Sequence, residues 1–279
     1  MPADVPADAA DDGDDATVGG EPVALAAQLV DEAERVLVVT GAGISTDSGI
    51  PDYRGPQGVW TKNPAAEKMA TLEHYLSDPD VRKLSWQSRL DSPIFRARPN
   101  AGHHAIVELE RRGKLHLLVT QNVDGLHLAA GTTPERLVEI HGHVREVVCW
   151  SCDERAPMQR ALDRVRAGED DPPCRSCGGI LKSATISFGQ PLDQGDLIRA
   201  EQGATGADLV LAVGSTLGVW PAAGVVPIAL SRGARLVIVN NEPTEFDRYA
   251  DVVLRASISE VLPAIVRGGP PRREVAGPA

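Results

Sequence analysis

Short apolar runs recur along the chain, and the first four end in glycine, hydroxyl or amide side chains. Val36 to Thr40 is the first, five apolar or β-branched residues that read as a strand buried on both faces. Leu115 to Thr120, Ala207 to Val213 and Arg235 to Val239 repeat the pattern, and Asp251 to Leu254 is a shorter fifth run. Between them, Val23 to Arg35 and His103 to Arg112 set apolar residues at helical spacing, the second stopped by Gly113. Strands alternating with helices predict an α/β fold on a doubly wound parallel sheet. Two stretches depart from the rhythm. Lys62 to Phe95 is polar and helical, punctuated by Pro79 and Pro93, and reads as an insertion. Ile180 to Phe188 has strand character and ends in Gly189, Gln190 and Pro191.

Ligands of open α/β sheets lie beyond the carboxyl ends of the strands, so the chemistry is sought in the segments that follow each run. The first is Gly41-Ala42-Gly43, then Ser45, Thr46, Asp47 and Ser48, which offer N-cap groups for a helix. Glycines between a strand and a helix leave backbone N–H groups open to a diphosphate, where a Cβ would intrude. The usual dinucleotide fingerprint asks for a third glycine where Thr46 stands. It also asks for an acidic residue about 20 positions on, and Thr61 to Pro64 offers none, which disfavours hydride transfer. A nucleotide is held in some other way, or not at all.

Gln121-Asn122-Val123-Asp124 puts three amide or carboxylate groups directly behind an apolar strand, where side chains should face a ligand. Gly214-Ser215-Thr216-Leu217 and Asn240-Asn241 follow the third and fourth runs. His141 stands after the short run Leu137 to Ile140 and before Gly142, a place open to a general base or to an ordinary structural histidine. His103 and His104 open a helix and read as caps or surface residues.

The four cysteines form two Cys-x-x-Cys pairs, Cys149 with Cys152 and Cys174 with Cys177, with 21 residues between the pairs. Such turns build a tetrahedral thiolate cage for zinc, and Gly178-Gly179 suits the tight turn of a zinc ribbon. Four thiolates leave zinc no open position, so its role is structural. Disulfides or a redox pair are the alternatives, and no secretory signal favours them. The intervening Ala161 to Pro173 is charged and is expected to be exposed.

Composition changes this picture little. The 279 residues carry a net charge of −11, of which the six aspartates of residues 1–20 supply −6. The remaining body is mildly acidic, which argues against direct nucleic-acid binding. No apolar run approaches the roughly 20 residues that span a bilayer, so no membrane association is expected and a cytoplasmic location follows as the default. Residues 1–20 and 267–279 read as disordered tails.

These features together resemble the sirtuin family of NAD-dependent protein deacylases. The matching stretches are Gly41-Ala42-Gly43-Ile44-Ser45, Gly49-Ile50-Pro51-Asp52-Tyr53-Arg54, Thr120-Gln121-Asn122-Val123-Asp124-Gly125-Leu126-His127 and His141-Gly142. They continue through the two cysteine pairs, Phe188-Gly189, Gly214-Ser215-Thr216-Leu217 and Val239-Asn240, so the resemblance covers about residues 21–266. Gly55 to Thr61 is most similar to the branch that includes the nuclear mammalian members.

The resemblance implies NAD and zinc as cofactors and an acyl-lysine protein or peptide as partner; a monomer is expected. It makes His141 the catalytic base, deprotonating a ribose hydroxyl after the acyl oxygen has attacked the ribose carbon and nicotinamide has left. Asn122 and Asp124 would hold the nicotinamide and its ribose, and Gln121 a ribose hydroxyl. Gly41, Ala42, Gly43 and Asp52 belong to the cofactor loop, Ser45 and Arg54 would contact phosphate, and Tyr53 would shield the reactive carbon. Gly214, Ser215 and Asn240 would hold the adenosine half. Phe188, Gly189 and Val219 would bind the substrate peptide.

The implied division has a Rossmann-like NAD-binding domain over 21–62, 97–145 and 180–266. A smaller unit combines the helical insertion 63–96 with the zinc ribbon 146–179. Three departures from the family pattern are visible. Tyr53 replaces the commoner Phe, Gln190 the usual Glu, and Ser187 an apolar residue. The Tyr-x-x-Arg pair of desuccinylating members is absent between Trp60 and Phe95, since Leu76, Ser77 and Asp78 follow Tyr75, which points to a neutral acyl group. Mono-ADP-ribosyl transfer to protein at the same site, and a non-catalytic NAD-sensing zinc-ribbon module, are the competing functions.

Overall fold

In the computed structural model, residues 20–52, 55, 58–62 and 66–267 are described. Tyr53 and Arg54 fall outside them, as do 1–19 and 268–279, where the two tails were expected. Nine strands form among the described residues: Val36–Thr40 (β1), Leu115–Thr120 (β2), Leu137–Glu139 (β3), Gly142–Cys149 (β4), Arg155–Pro157 (β5), Leu181–Thr185 (β6), Leu209–Val213 (β7), Arg235–Val239 (β8) and Val252–Leu254 (β9). Six make a parallel sheet in the order β3-β2-β1-β7-β8-β9. The five apolar runs are all here, joined by β3 at one edge.

Strand β1 is buried along its whole length. Its side chains alternate between two cores, as strand geometry requires. Val36 and Val38 face the helices Glu21–Glu32, Ala101–Arg111 and Ile258–Val266, while Leu37 and Val39 face Gln194–Gly206 and Val225–Ser231. Each such side chain contributes about 2 kcal/mol of hydrophobic stabilisation. The first helix meets the sheet through Val23, Ala26, Leu29 and Val30, one face of a 3.6-residue period. From β1 the chain builds outward to β2 and β3, then returns to β1's other side as β7. That reversal is a topological switch point, and it sets the loops after β1 and β7 side by side.

Strands β5-β4-β6 make a second, antiparallel sheet. Strand β6 thus pairs with β4, and the chain rejoins the large fold only after it. The helix Met158–Arg166 buries Met158, Ala161, Leu162 and Val165 against this sheet, together with Trp86 of the helix Pro79–Leu90. This corrects the exposed segment expected from Ala161 to Pro173. An apolar stripe at i, i+3, i+4 and i+7 runs through that charged helix and turns inward. The helical insertion and the cysteine-bearing sheet therefore share one core. Among the described residues, no helix is long and apolar enough to cross a membrane.

Candidate active site

The switch point is closed by glycines. The segment after β1 is a 3-10 helix, Ala42–Ser48, with no side-chain cap at Gly41, so Ser45 to Ser48 do not cap it as expected. A Cβ on Gly41 would lie 2.7 Å from the Gly214 carbonyl oxygen, and one on Gly43 would lie 2.7 Å from Gly214 Cα. These glycines are needed first for the two loops to touch, whatever else approaches them.

A cavity of about 910 Å³ opens over this junction. Its wall includes Gly41, Ala42, Gly43, Asp52, Gln121 and Asn122. Ser215, Gly214 and Asn240 continue it on one side, and His141, Phe188, Gly189 and Val219 on the other. Asp52 Oδ1 accepts the Gly55 N–H at 3.2 Å, fixing the turn that leaves the cavity rim. Gln121 Nε2 donates to Ser215 Oγ at 3.2 Å, bridging the loops after β2 and β7. Asn240 donates to the Glu242 carbonyl at 2.7 Å, holding the loop after β8.

Ser45 and Asp124 stand behind that wall. Asn122 Nδ2 donates to the Gly41 carbonyl at 3.0 Å and to Ser45 Oγ at 3.2 Å, and Ser45 Oγ donates to Asp124 Oδ2 at 2.7 Å. Burial pushes the Asp124 carboxyl up, opposed by the Leu126 N–H and the Ser45 hydroxyl. The serine expected to meet phosphate also donates its proton to Asp124. It orients the Asn122–Asp124 pair that the sequence singled out.

His141 lies in the turn between β3 and β4. Its Nδ1 donates to the Gln121 carbonyl at 3.0 Å, which fixes the tautomer with Nε2 as acceptor. Burial lowers its pKa, with the Gln121 carbonyl acting in the opposite direction. The imidazole is therefore neutral near pH 7 and able to take a proton. The Ile186 N–H donates to the His141 carbonyl at 2.8 Å, so β6 pins the same turn from the small sheet.

The strip after β6 is paired on one edge already. Phe188 N–H donates to the Ala70 carbonyl at 2.8 Å and its carbonyl accepts from Leu72 at 2.9 Å. The departures Ser187 and Gln190 bond each other: Gln190 N–H donates to the Ser187 carbonyl at 2.9 Å, and Gln190 Oε1 accepts from the Ser187 N–H at 3.3 Å. They close a turn around Phe188 and Gly189.

The four cysteines converge as expected, with ligand atoms all within 4.8 Å of one another. Neighbouring Sγ atoms are 3.4 Å (Cys149–Cys177, Cys152–Cys177) and 3.8 Å (Cys152–Cys174) apart. A disulfide needs about 2 Å, whereas thiolates about 2.3 Å from one tetrahedral zinc sit about 3.8 Å apart. The donor set fits zinc.

Some site residues gave no sign in the sequence. Lys182 and Arg89 line the cavity from β6 and the helix Pro79–Leu90. His103, placed among caps or surface groups, does join a capping box with Asn100 but is fully buried against His127. A lone basic residue in a polar stretch carries no local mark of burial.

This arrangement has close counterparts. The Sir2 family model matches residues 41–221. Over 233 residues the chain is 51% identical to NAD-dependent protein deacetylase 2 of Streptomyces coelicolor, a match covering 84% of this chain and 97% of that one. It is 40% identical to the NAD-dependent protein deacetylase of Caldivirga maquilingensis, covering 86% and 91%. A solved structure from work on the mechanism and regulation of Sir2 enzymes superposes with a TM-score of 0.80 at 38% identity, covering 88% of this chain and 96% of its own. A Sir2 complex with a p53 peptide and NAD+ gives 0.75 at 31% identity, covering 84% and 93%. The chain belongs to the Sir2 family.

Proposed function

We propose that the protein is an NAD-dependent protein-lysine deacylase. The observation that carries this reading is a neutral, tautomer-fixed His141 at the wall of a cavity shared by the strand-end loops and the 186–190 strip. Relatives named NAD-dependent protein deacetylase, and Sir2 structures named for acetylated peptide and NAD+, support it.

The residues fit the cofactor. Gly214, Ser215 and Asn240 hold the adenosine half, Gly41 to Gly43 and Asp52 the diphosphate, and Gln121 and Asn122 the nicotinamide riboside. Asp124 acts through Asn122 and Ser45, Ser45 and Arg54 would contact phosphate, and Tyr53 would shield the reactive carbon. When bound, NAD supplies an activated ribose carbon as acceptor for the acyl group. His141 Nε2 takes the proton of a ribose hydroxyl, the Gln121 carbonyl stabilising the imidazolium through Nδ1. The Asn122 carboxamide, locked by Gly41 and Ser45, reaches its ligand already oriented. Phe188, Gly189 and Val219 line the peptide cleft, where the substrate peptide pairs with the strip by β-augmentation. The zinc cage, held by Cys149, Cys152, Cys174 and Cys177, is structural. The proposal includes a monomeric state and a cytoplasmic setting.

The test is mass spectrometry of the purified protein with NAD and an acetyl-lysine peptide, with and without His141. Deacetylated peptide and O-acetyl-ADP-ribose that vanish in His141→Ala support the reading. Gain of ADP-ribose on protein without loss of acyl would replace it with mono-ADP-ribosyl transfer.

A further inference from the structure

A second cavity, of about 380 Å³, lies between the helices Gln194–Gly206 and Val225–Ser231. Leu197, Trp220 and Pro221 line both this cavity and the catalytic one, so the two adjoin along a shared wall. Trp220 directly follows Val219 of the peptide cleft. It is 60% exposed, although tryptophan ordinarily gives most of its surface to a core. A glycine makes room for its ring. A Cβ on Gly224 would lie 3.2 Å from Trp220 Cζ3, tighter than ordinary contact. The indole therefore rests on the backbone that opens the helix Val225–Ser231 and keeps the rest of its surface in solvent.

The other walls define what could fill this space. Leu197, Pro227 and Ile228 make it apolar, and Glu201 is the one charged residue among those lining it. None of the lining residues is basic. Glu201 is exposed, and among the described residues its carboxylate has no hydrogen-bond or ion-pair partner. An aromatic face, an apolar trough and a single carboxylate suit a long cation. Its methylene stem would cover the apolar wall, with the charged head stacked on the indole and bonded to the acid. Arginine matches this best, because its planar fork can do both at once. A purely apolar side chain would strip water from Glu201 and return nothing for it.

We infer that Trp220 and Glu201 form a substrate-selection subsite that takes a basic side chain, arginine above all, a few residues from the acyl-lysine of the protein substrate. This rests on the deacylase reading above. An extended peptide advances about 3.3 Å per residue, so a chain running past Val219 brings another side chain to Trp220 within a few positions. The acidic body adds a field of the same sign as Glu201, which draws basic segments toward the cleft. The subsite touches neither the acyl group nor the ribose. It selects which acyl-lysine is served, and its binding energy appears in KM and leaves kcat alone.

The experiment uses the full chain, saturating NAD and an acetyl-lysine peptide with alanine at every flanking position. One arginine is then placed at each flanking position in turn. At one position arginine should raise kcat/KM about tenfold over alanine, through KM and with kcat kept. Glu201→Gln and Trp220→Ala should each remove most of that gain, while the alanine peptide keeps its kcat/KM within about twofold. Glu201→Arg should move the preference to glutamate at the same position, a reversal that loss of folding does not imitate. If no position gains from arginine, or if the gain survives both Glu201→Gln and Trp220→Ala, the inference is overturned and the deacylase reading is spared. Leucine or phenylalanine outdoing arginine at that position assigns the cavity to an apolar anchor and overturns it. A dimer in sedimentation that Trp220→Ala dissociates assigns the cavity to a second copy of the chain and overturns it too. No turnover of any peptide overturns both readings.

Discussion

His141 Nδ1 lies 3.0 Å from the carbonyl oxygen of Gln121, and this contact decides which ring nitrogen can take a proton. Burial holds the ring below its usual pKa, so it is neutral above that range and protonated only in more acid solution. The base is active when neutral. Deacylation kcat/KM should therefore fall on the acid side, with an apparent pKa below the ordinary histidine value of about 6.5. His141→Ala should lower kcat by about 10²- to 10⁴-fold with the melting temperature nearly unchanged. A pH–rate profile and a thermal melt check both. A variant that keeps most of its deacylation would remove His141 from the base role.

The next residue makes a sharper structural prediction. Gly142 has φ +69°, and a Cβ there would lie 2.2 Å from the Ala184 carbonyl oxygen. Gly142→Ala must therefore move β4 away from β6, and His141 with it. The left-handed conformation alone costs about 1–2 kcal/mol, and the backbone clash adds to that. Chemical denaturation should show destabilisation of about 2 kcal/mol or more, and kcat should fall although His141 is still present. Unchanged kcat would show that the turn does not position the base.

The cysteine cage gives a prediction independent of turnover. Cys149 and Cys174 are buried, with Cys152 and Cys177 exposed, so one side of the cage is packed into the core that holds Trp86 and Leu162. Cys174→Ser should bring zinc content from one ion per chain to near zero. It should also loosen the small sheet, because bound metal and folding are linked. Metal analysis and proteolysis of the 142–185 region read the two effects. A variant with full zinc would discard the cage.

How much of this the sequence disclosed depended on whether the signal was local. Strand β1 was legible because burial on both faces leaves a run of five apolar or β-branched residues. Strand β3 is three residues long and looks like any short apolar run, so the sixth strand of the sheet went uncounted. The inward stripe of Met158, Ala161, Leu162 and Val165 was masked by the charged residues between them. Nothing local in β6 says that its partner is β4, since strand pairing is a property of the whole chain. The zinc cage was legible from spacing alone. His141 was ambiguous by position and gained its role through the family resemblance. The bond from Ser45 to Asp124 was not legible, because the fold and not the loop sequence brings the two together.

A last prediction concerns two histidines that the chemistry does not use. His103 and His127 are 0% and 2% exposed, with ring centroids 4.9 Å apart. Thr40 Oγ1 gives its proton to Thr120 Oγ1 at 2.8 Å, so His127 Nε2 must be the donor in its 3.0 Å contact with Thr40 Oγ1. Thr120 Oγ1 in turn accepts the Asn122 N–H at 3.1 Å. A buried chain thus runs from the histidine pair to the backbone of Asn122. Burial, and then the neighbouring His104, lower His103 to about 4; burial, and then His103, hold His127 well below its usual range. The sign follows from proton uptake. Above about pH 6.5 neither state of the chain binds a proton at these rings, and stability is full. Between there and pH 4 the unfolded chain gains protons that the native rings refuse. Each ring then costs up to about 1.4 kcal/mol per pH unit, and His103 alone about 3 kcal/mol by pH 4. Urea midpoints should drop steeply from pH 7 to pH 5, and His103→Gln should flatten that slope even if it lowers stability at pH 7. A native midpoint that stays level over this range would mean the rings accept protons in place, and the buried chain to Asn122 would not be built as described.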